Sequence, residues 1–116
     1  MAQFLLLLPH EPTRYRDVPH DEMMAIIQDY VAWVEDQTER GAYVDGHKLV
    51  DSAGKLLVAG DDGAEVHDGP FAELAEVLGG MMVIEAKSLD AAVDIARDHP
   101  HLRHNRRIEI RQIDAM

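Results

Sequence analysis

Two short stretches, "QFLLLL" at residues 3–8 and "MMVIEA" at 81–86, carry apolar side chains at consecutive positions. A strand sends alternate side chains to opposite faces, so strands of this kind are apolar on both faces and need cover on both. "AYVDGHKLV" (42–50) and "RIEIRQI" (107–113) mix apolar and polar positions and suit the edges of the same sheet. Two central and two edge strands, with a helix expected after each central strand, give a β-α-β pattern run twice. The fold class implied is α+β, a ferredoxin-like βαβ-βαβ domain with a four-stranded antiparallel sheet. Two helices cover one face of such a sheet. The other face calls for a second copy in a barrel-like homodimer or for the segment inserted between the two halves; the dimer is the expectation.

The helical signals are local. "HDEMMAIIQDYVAWVEDQTERG" (20–41) repeats Met23, Ile26, Ile27, Tyr30, Val31 and Val34 at helical spacing, with Trp33 off that stripe. Pro19 sits at the expected first helical position, Asp21 and Glu22 suit the first turn, and Arg40-Gly41 suits the end. Ser88 is a good N-cap for "LDAAVDIARDH" (89–99), where Leu89, Ala92, Val93 and Ala96 make a stripe that Pro100 should terminate. Between the halves, "GKLLVAGDDGAEVHDG" (54–69) reads as an inserted hairpin turning at "GDDG". "FAELAEVL" (71–78) reads as a short helix stopped by Gly79-Gly80. At 116 residues, a single domain spanning 1–116 is expected.

With 22 acidic against 11 basic side chains and a formal charge of −11, the surface repels phosphate backbones and anionic lipid, so neither nucleic acid nor membrane is an expected partner. The absence of cysteine excludes disulfides, thiolate metal sites and thiol nucleophiles. The apolar run at the N-terminus is too short for a signal-peptide core or a membrane span, and a cytoplasmic location is the expectation. Arg103, Arg106, Arg107 and Arg111 crowd one segment. They suit an anionic ligand group or, more plainly, pairing with the chain's own carboxylates.

Chemistry-bearing residues gather in two places. His67 and Asp68 leave the expected hairpin, and His99, His101 and His104 follow the second helix. Asp68 before Gly69-Pro70 has two compatible readings: a turn-former accepting a backbone N–H, or a general base. His99 and His101 are its candidate acid–base partners, so the catalytic set is Asp68, His99 and His101. The candidate substrate-binding set is His10, His67, Phe71, Glu73, Arg103 and Arg107; Phe71 also reads as a core anchor, and Glu73 with Glu76 as a solvated helical face. The H-x-H-x-x-H spacing beside arginines is not a recognised closed metal site, so no metal and no cofactor are expected.

The segment "DGPFAELAE" (68–76) closely resembles the "DGPFAETKE" signature of the DGPF branch of the YCII-related domain family, with Leu74 and Ala75 in place of Thr and Lys. The resemblance takes in "FLLLL", the helix ending in "ERG", Gly79-Gly80 and the closing "HPHLRHNRRIEIRQI". It implies a bacterial protein of dimeric α/β-barrel type, in a group whose genes often neighbour extracytoplasmic-function sigma factors. The wider group suggests a His–Asp pair, a histidine on the first helix and an aspartate before a proline near the end of the second. Alignment on the helix-ending glycine puts Tyr30 and His99 at those two places, so this chain departs from the pair at both and its chemistry is not carried over; the aspartate of the DGPF segment is the alternative. The functional expectation is a small pocket protein using cofactor-independent acid–base chemistry, as a lyase, isomerase or hydrolase, on a small organic substrate. The alternative is a non-catalytic ligand-binding or regulatory module.

Overall fold

A computed structural model describes residues 1–11, 15, 17–50, 54–68 and 76–115. The element order is β1 (Ala2–His10), α1 (His20–Glu39), β2 (Tyr43–Lys48), β3 (Lys55–Gly60), β4 (Gly63–Asp68), β5 (Val77–Ala86), α2 (Leu89–Ala96), α3 (Pro100–Arg103) and β6 (Glu109–Gln112). The main sheet runs β2-β5-β1-β6 with antiparallel neighbours, and β3 and β4 form a separate two-stranded ribbon. This mixed α+β arrangement is consistent with the ferredoxin-like class. The two doubly apolar strands are central, because only there does each have a neighbouring strand on either side.

Alternation along β1 and β5 sorts their side chains. Phe4, Leu6 and Leu8 from β1 and Met82, Ile84 and Ala86 from β5 are buried under the helices, where Trp33, Ala92 and Ala96 meet them. Phe4, Leu6 and Ile84 have no exposed surface; full burial stabilises by ~1.5–3 kcal/mol for each such side chain. The intervening residues Leu5, Leu7, Met81 and Val83 point to the other face and are only half-buried. No described element covers them. The β3–β4 ribbon is exposed along its whole length, with Leu57 64% and Val66 63% accessible on one face. The 18 Å short dimension fits one sheet under one helical layer, and the radius of gyration of 16.4 Å exceeds the ~13 Å of a compact domain near this size.

Several local expectations shift by a step. Pro19 precedes α1 as its N-cap residue instead of opening it. Gly41, at φ +77, carries the left-handed turn that closes this helix, with Ala42 N–H donating to Gln37 O and Gly41 N–H to Thr38 O. Trp33 is 4% exposed and belongs to the core, whereas Ile27 and Val31 of the expected stripe are 40% exposed. The helix is turned so that its broad indole fills the space over the sheet. Ser88 caps α2 through Ala91 N–H, but the helix ends at Ala96, and Pro100 opens α3 with its ring at a position needing no N–H. The short helix expected over 71–78 lies mostly outside the described residues; Val77 and Leu78 are in β5. Gly79 and Gly80 are strand residues as well, and the β1–β5 pairing steps from Leu8↔Gly80 to Pro9↔Leu78, a bulge that skips Gly79.

Candidate functional site

The bulge prepares the site. His10, at the end of β1 and 6% exposed, lays its ring over Gly79, where any Cβ would collide with it. One residue earlier, the Pro9 carbonyl accepts from His101 Nε2 at 2.6 Å, and Tyr30 Oη lies 2.9 Å from His101 Nδ1. A carbonyl only accepts, so Nε2 carries the imidazole proton, Nδ1 is the acceptor and the Tyr30 hydroxyl donates to it. Burial first, then the charges of Arg106 and His10, push His101 down to about 4, against the opposing Pro9 bond and Glu11. At neutral pH the ring is uncharged and its tautomer is set.

His99 is held still more firmly. It has no exposed surface, its Nδ1 accepts from His101 N–H at 3.0 Å as the N-cap of α3, and its Nε2 lies 3.4 Å from Met82 Sδ. Trp33 packs on its ring at 4.3 Å between centroids, and Trp33 Nε1 donates to Asp98 Oδ1 at 2.9 Å. Burial, reinforced by His101 and Arg103 and opposed by Asp98, lowers the His99 pKa to about 3. With both ring nitrogens used inside the protein, His99 is a structural element of the site. His104 ends the row, its ring parallel to Tyr30 at 6.0 Å and its Nε2 3.1 Å from Asp29 Oδ2.

The remaining candidates are placed elsewhere. Asp68, 88% exposed at its side chain, ends the ribbon and pairs with Lys55, while His67 lies 3.5 Å from Glu65 on the ribbon's other face. Among the described residues neither touches the buried histidines. Phe71 and Glu73 lie outside the described residues. Arg107 is exposed and pairs with Glu76, as the plainer reading of the arginine segment expects, and Arg103 is exposed at the end of α3. No group of histidine, aspartate and glutamate residues with metal-holding geometry occurs among the described residues. An open cleft of ≈ 470 Å³ lies away from the histidines, bounded by Met1, Gln37, Ala42, Lys87, Ala91 and Asp98.

Tyr30, on the apolar stripe of α1, meets the histidine segment, and of the four arginines in that segment it is Arg106 whose side chain is buried. Tyr30 and His99 stand where the wider group places its His–Asp pair, although neither residue keeps the type found there. Those rings do meet, at 5.7 Å between centroids.

The YCII-related domain model matches residues 2–115. The chain belongs to the YCII-related domain family. No curated protein matches it in sequence. Among solved structures it is similar to 5-chloro-2-hydroxyhydroquinone dehydrochlorinase from Burkholderia phenoliruptrix, in complex with 2,5-dihydroxybenzoquinone, at 15% identity and a TM-score of 0.54 over 97% of this chain and 93% of that one. At this identity the likeness is one of fold. No helix is long and apolar enough to cross a membrane among the described residues.

Proposed function

We propose that this YCII-related domain, as a member of the DGPF branch, binds a small organic ligand beside Tyr30 and transfers protons there without a cofactor, through Tyr30 and His101. The observation that carries the reading is the ordered chain Tyr30 Oη–H to His101 Nδ1 and His101 Nε2–H to Pro9 O. It presents a half-buried phenol whose proton already points at a base, in the manner of a general acid or base oriented by a second group. The dehydrochlorinase supports small-molecule chemistry on this fold, and the "DGPFAELAE" segment supports the branch. Proton abstraction and return alone makes an isomerase, loss of a substrate leaving group after abstraction a lyase, and delivery of the proton from an attacking water a hydrolase. Asp68 has no part in this scheme as a single chain presents it.

A screen of small phenols, hydroxy acids and carbonyl compounds by thermal shift, on the wild type, Tyr30→Phe and His101→Asn, tests binding. A ligand whose stabilisation disappears in Tyr30→Phe, with the unliganded melting temperature retained, is the expected result; ligands indifferent to both substitutions defeat the reading. Deuterium uptake by that ligand in heavy water, lost in His101→Asn, distinguishes turnover from binding. The low basicity of His101 and the full commitment of His99 favour a second reading, a non-catalytic module, for which no uptake is expected.

The reading includes a homodimer through the open sheet face and a cytoplasmic location. Leu5, Leu7, Met81 and Val83 form the central apolar patch that a second copy would cover. Sedimentation at micromolar concentration should give a dimer that Leu7→Glu dissociates; a wild-type monomer defeats it.

A further inference from the structure

The turn after α3 positions an arginine with unusual care. Asn105 adopts φ 62, Asn105 N–H donates to Leu102 O at 3.0 Å, and Arg106 N–H donates to His101 O at 3.1 Å. These bonds form a Schellman closure, and they pin Arg106 to the backbone of His101. The Arg106 side chain is 2% exposed. Its Nη1 donates to Tyr15 Oη, and its guanidinium carbon lies 4.5 Å from the centre of the Tyr15 ring. Its Nε lies 3.5 Å from Glu11 Oε2, an ion pair without hydrogen-bond geometry. Nε and Nη2 are both buried and have no hydrogen-bond partner among the described residues.

Those two nitrogens are neighbours on one edge of the guanidinium. Their N–H bonds are parallel, the edge that matches both oxygens of a planar carboxylate. Tyr15 occupies the opposite side, which leaves the Nε–Nη2 edge facing Glu11 without a hydrogen bond. A buried donor without an acceptor is unfavourable, which makes an incoming acceptor favourable in proportion.

We propose that Nε and Nη2 of Arg106 are the fork that grips a carboxylate group of the ligand, with Glu11 as an imperfect intramolecular stand-in when no ligand is bound. The inference rests on the Tyr30–His101 reading and names its substrate class: small organic acids. It also couples binding to chemistry. His101 is faced by Tyr30 from α1, by His10 and Glu11 from the end of β1, by His99 from its own segment and by Arg106 from the turn. A bound carboxylate offsets the guanidinium charge, one of the lesser causes of the low His101 pKa after burial, so the His101 titration moves upward while burial still holds it below its ordinary value.

The test is NMR titration of the full chain with benzoate and, as a neutral control of the same shape, benzamide, following the Arg106 Nε–H and the His101 ring. Saturable benzoate binding that benzamide lacks is expected, with the His101 titration moved upward. Arg106→Lys, which keeps the charge and removes the fork, should weaken benzoate by about tenfold or more. Glu11→Gln, which removes the competitor, should tighten it several-fold. Tyr30→Phe should still bind benzoate, which separates failure of this inference from failure of the proton-transfer reading. Benzoate binding unchanged in Arg106→Lys overturns the inference. So does the absence of binding in both the wild type and Glu11→Gln, which would make Arg106 and Glu11 a structural pair.

Discussion

His67-Asp68 and His99–Arg106 look alike on paper: each puts histidine beside acidic or basic neighbours at the end of a regular element. The fold treats them in opposite ways. The first lies on a two-stranded ribbon exposed along its length, and its charges find nearby partners in Lys55 and Glu65 while remaining wet. The second is pressed against Trp33, Met82 and Tyr30, and His99 and His101 lose most of their basicity. Charge density in the sequence was therefore a poor guide to chemistry. Removal from water is what makes a hydrogen bond or a neighbouring charge change a side chain's behaviour. An exposed ion pair is screened and contributes little.

The sharpest break in the comparison is His99→Ala. It removes a core side chain, the α3 cap and the Met82 contact together, and a loss of roughly 2–4 kcal/mol is expected by urea denaturation. Acid should discriminate almost as strongly. In the unfolded chain His99 and His101 take up protons near pH 6.5, whereas in the folded chain they resist until about 3 and about 4. Both folded values are depressed, so their stabilisation is complete above pH 6.5 and falls as pH drops toward 4, at up to about 1.4 kcal/mol per pH unit for each histidine. Denaturation midpoints measured from pH 7.5 to 4.5 check the sign, and His101→Asn should flatten the slope. A midpoint that does not fall below pH 6.5 would mean the histidines are not held neutral.

Smaller effects sharpen the picture. Asn105→Ala places a Cβ-bearing residue without Asn's tolerance in the left-handed turn and should cost ~1 kcal/mol, whereas Asn105→Gly should be nearly neutral. Because that turn positions Arg106, the alanine variant should also lower benzoate affinity. On the ribbon, His67→Ala and Asp68→Ala should each leave the melting temperature within about 2 °C of wild type. A loss of several degrees from Asp68→Ala would show that the ribbon is packed in the assembled protein, through the second copy proposed here.

Much of the frame was legible from local pattern. The doubly apolar "FLLLL" and "MMVI" identified the central strands because they lack the polar alternation of the edge strands. Ser88, Gly41 and the "GDDG" turn marked element ends through hydrogen-bonding and φ preferences that act within a few residues. The buried face of α1 is not fixed by its pattern, since both Trp33 and Ile27 suit an apolar face and only the sheet beneath selects between them. Gly79-Gly80 reads equally as a helix stop and as a bulge, and its strand role follows from the His10 ring lying over it.

The amino-acid sequence by itself determined the order and type of most elements, the central pair of strands and the family, because these depend on periodicity and short motifs. Tertiary structure decided the site. Tyr30 and His101 are 71 residues apart, and His101 meets Pro9 across 92; nothing in the spacing of either announces the meeting. Which histidine is dry, which arginine is buried beside it and which carboxylate stays in water are outcomes of how the layers close, since burial belongs to the packed molecule and not to the residue.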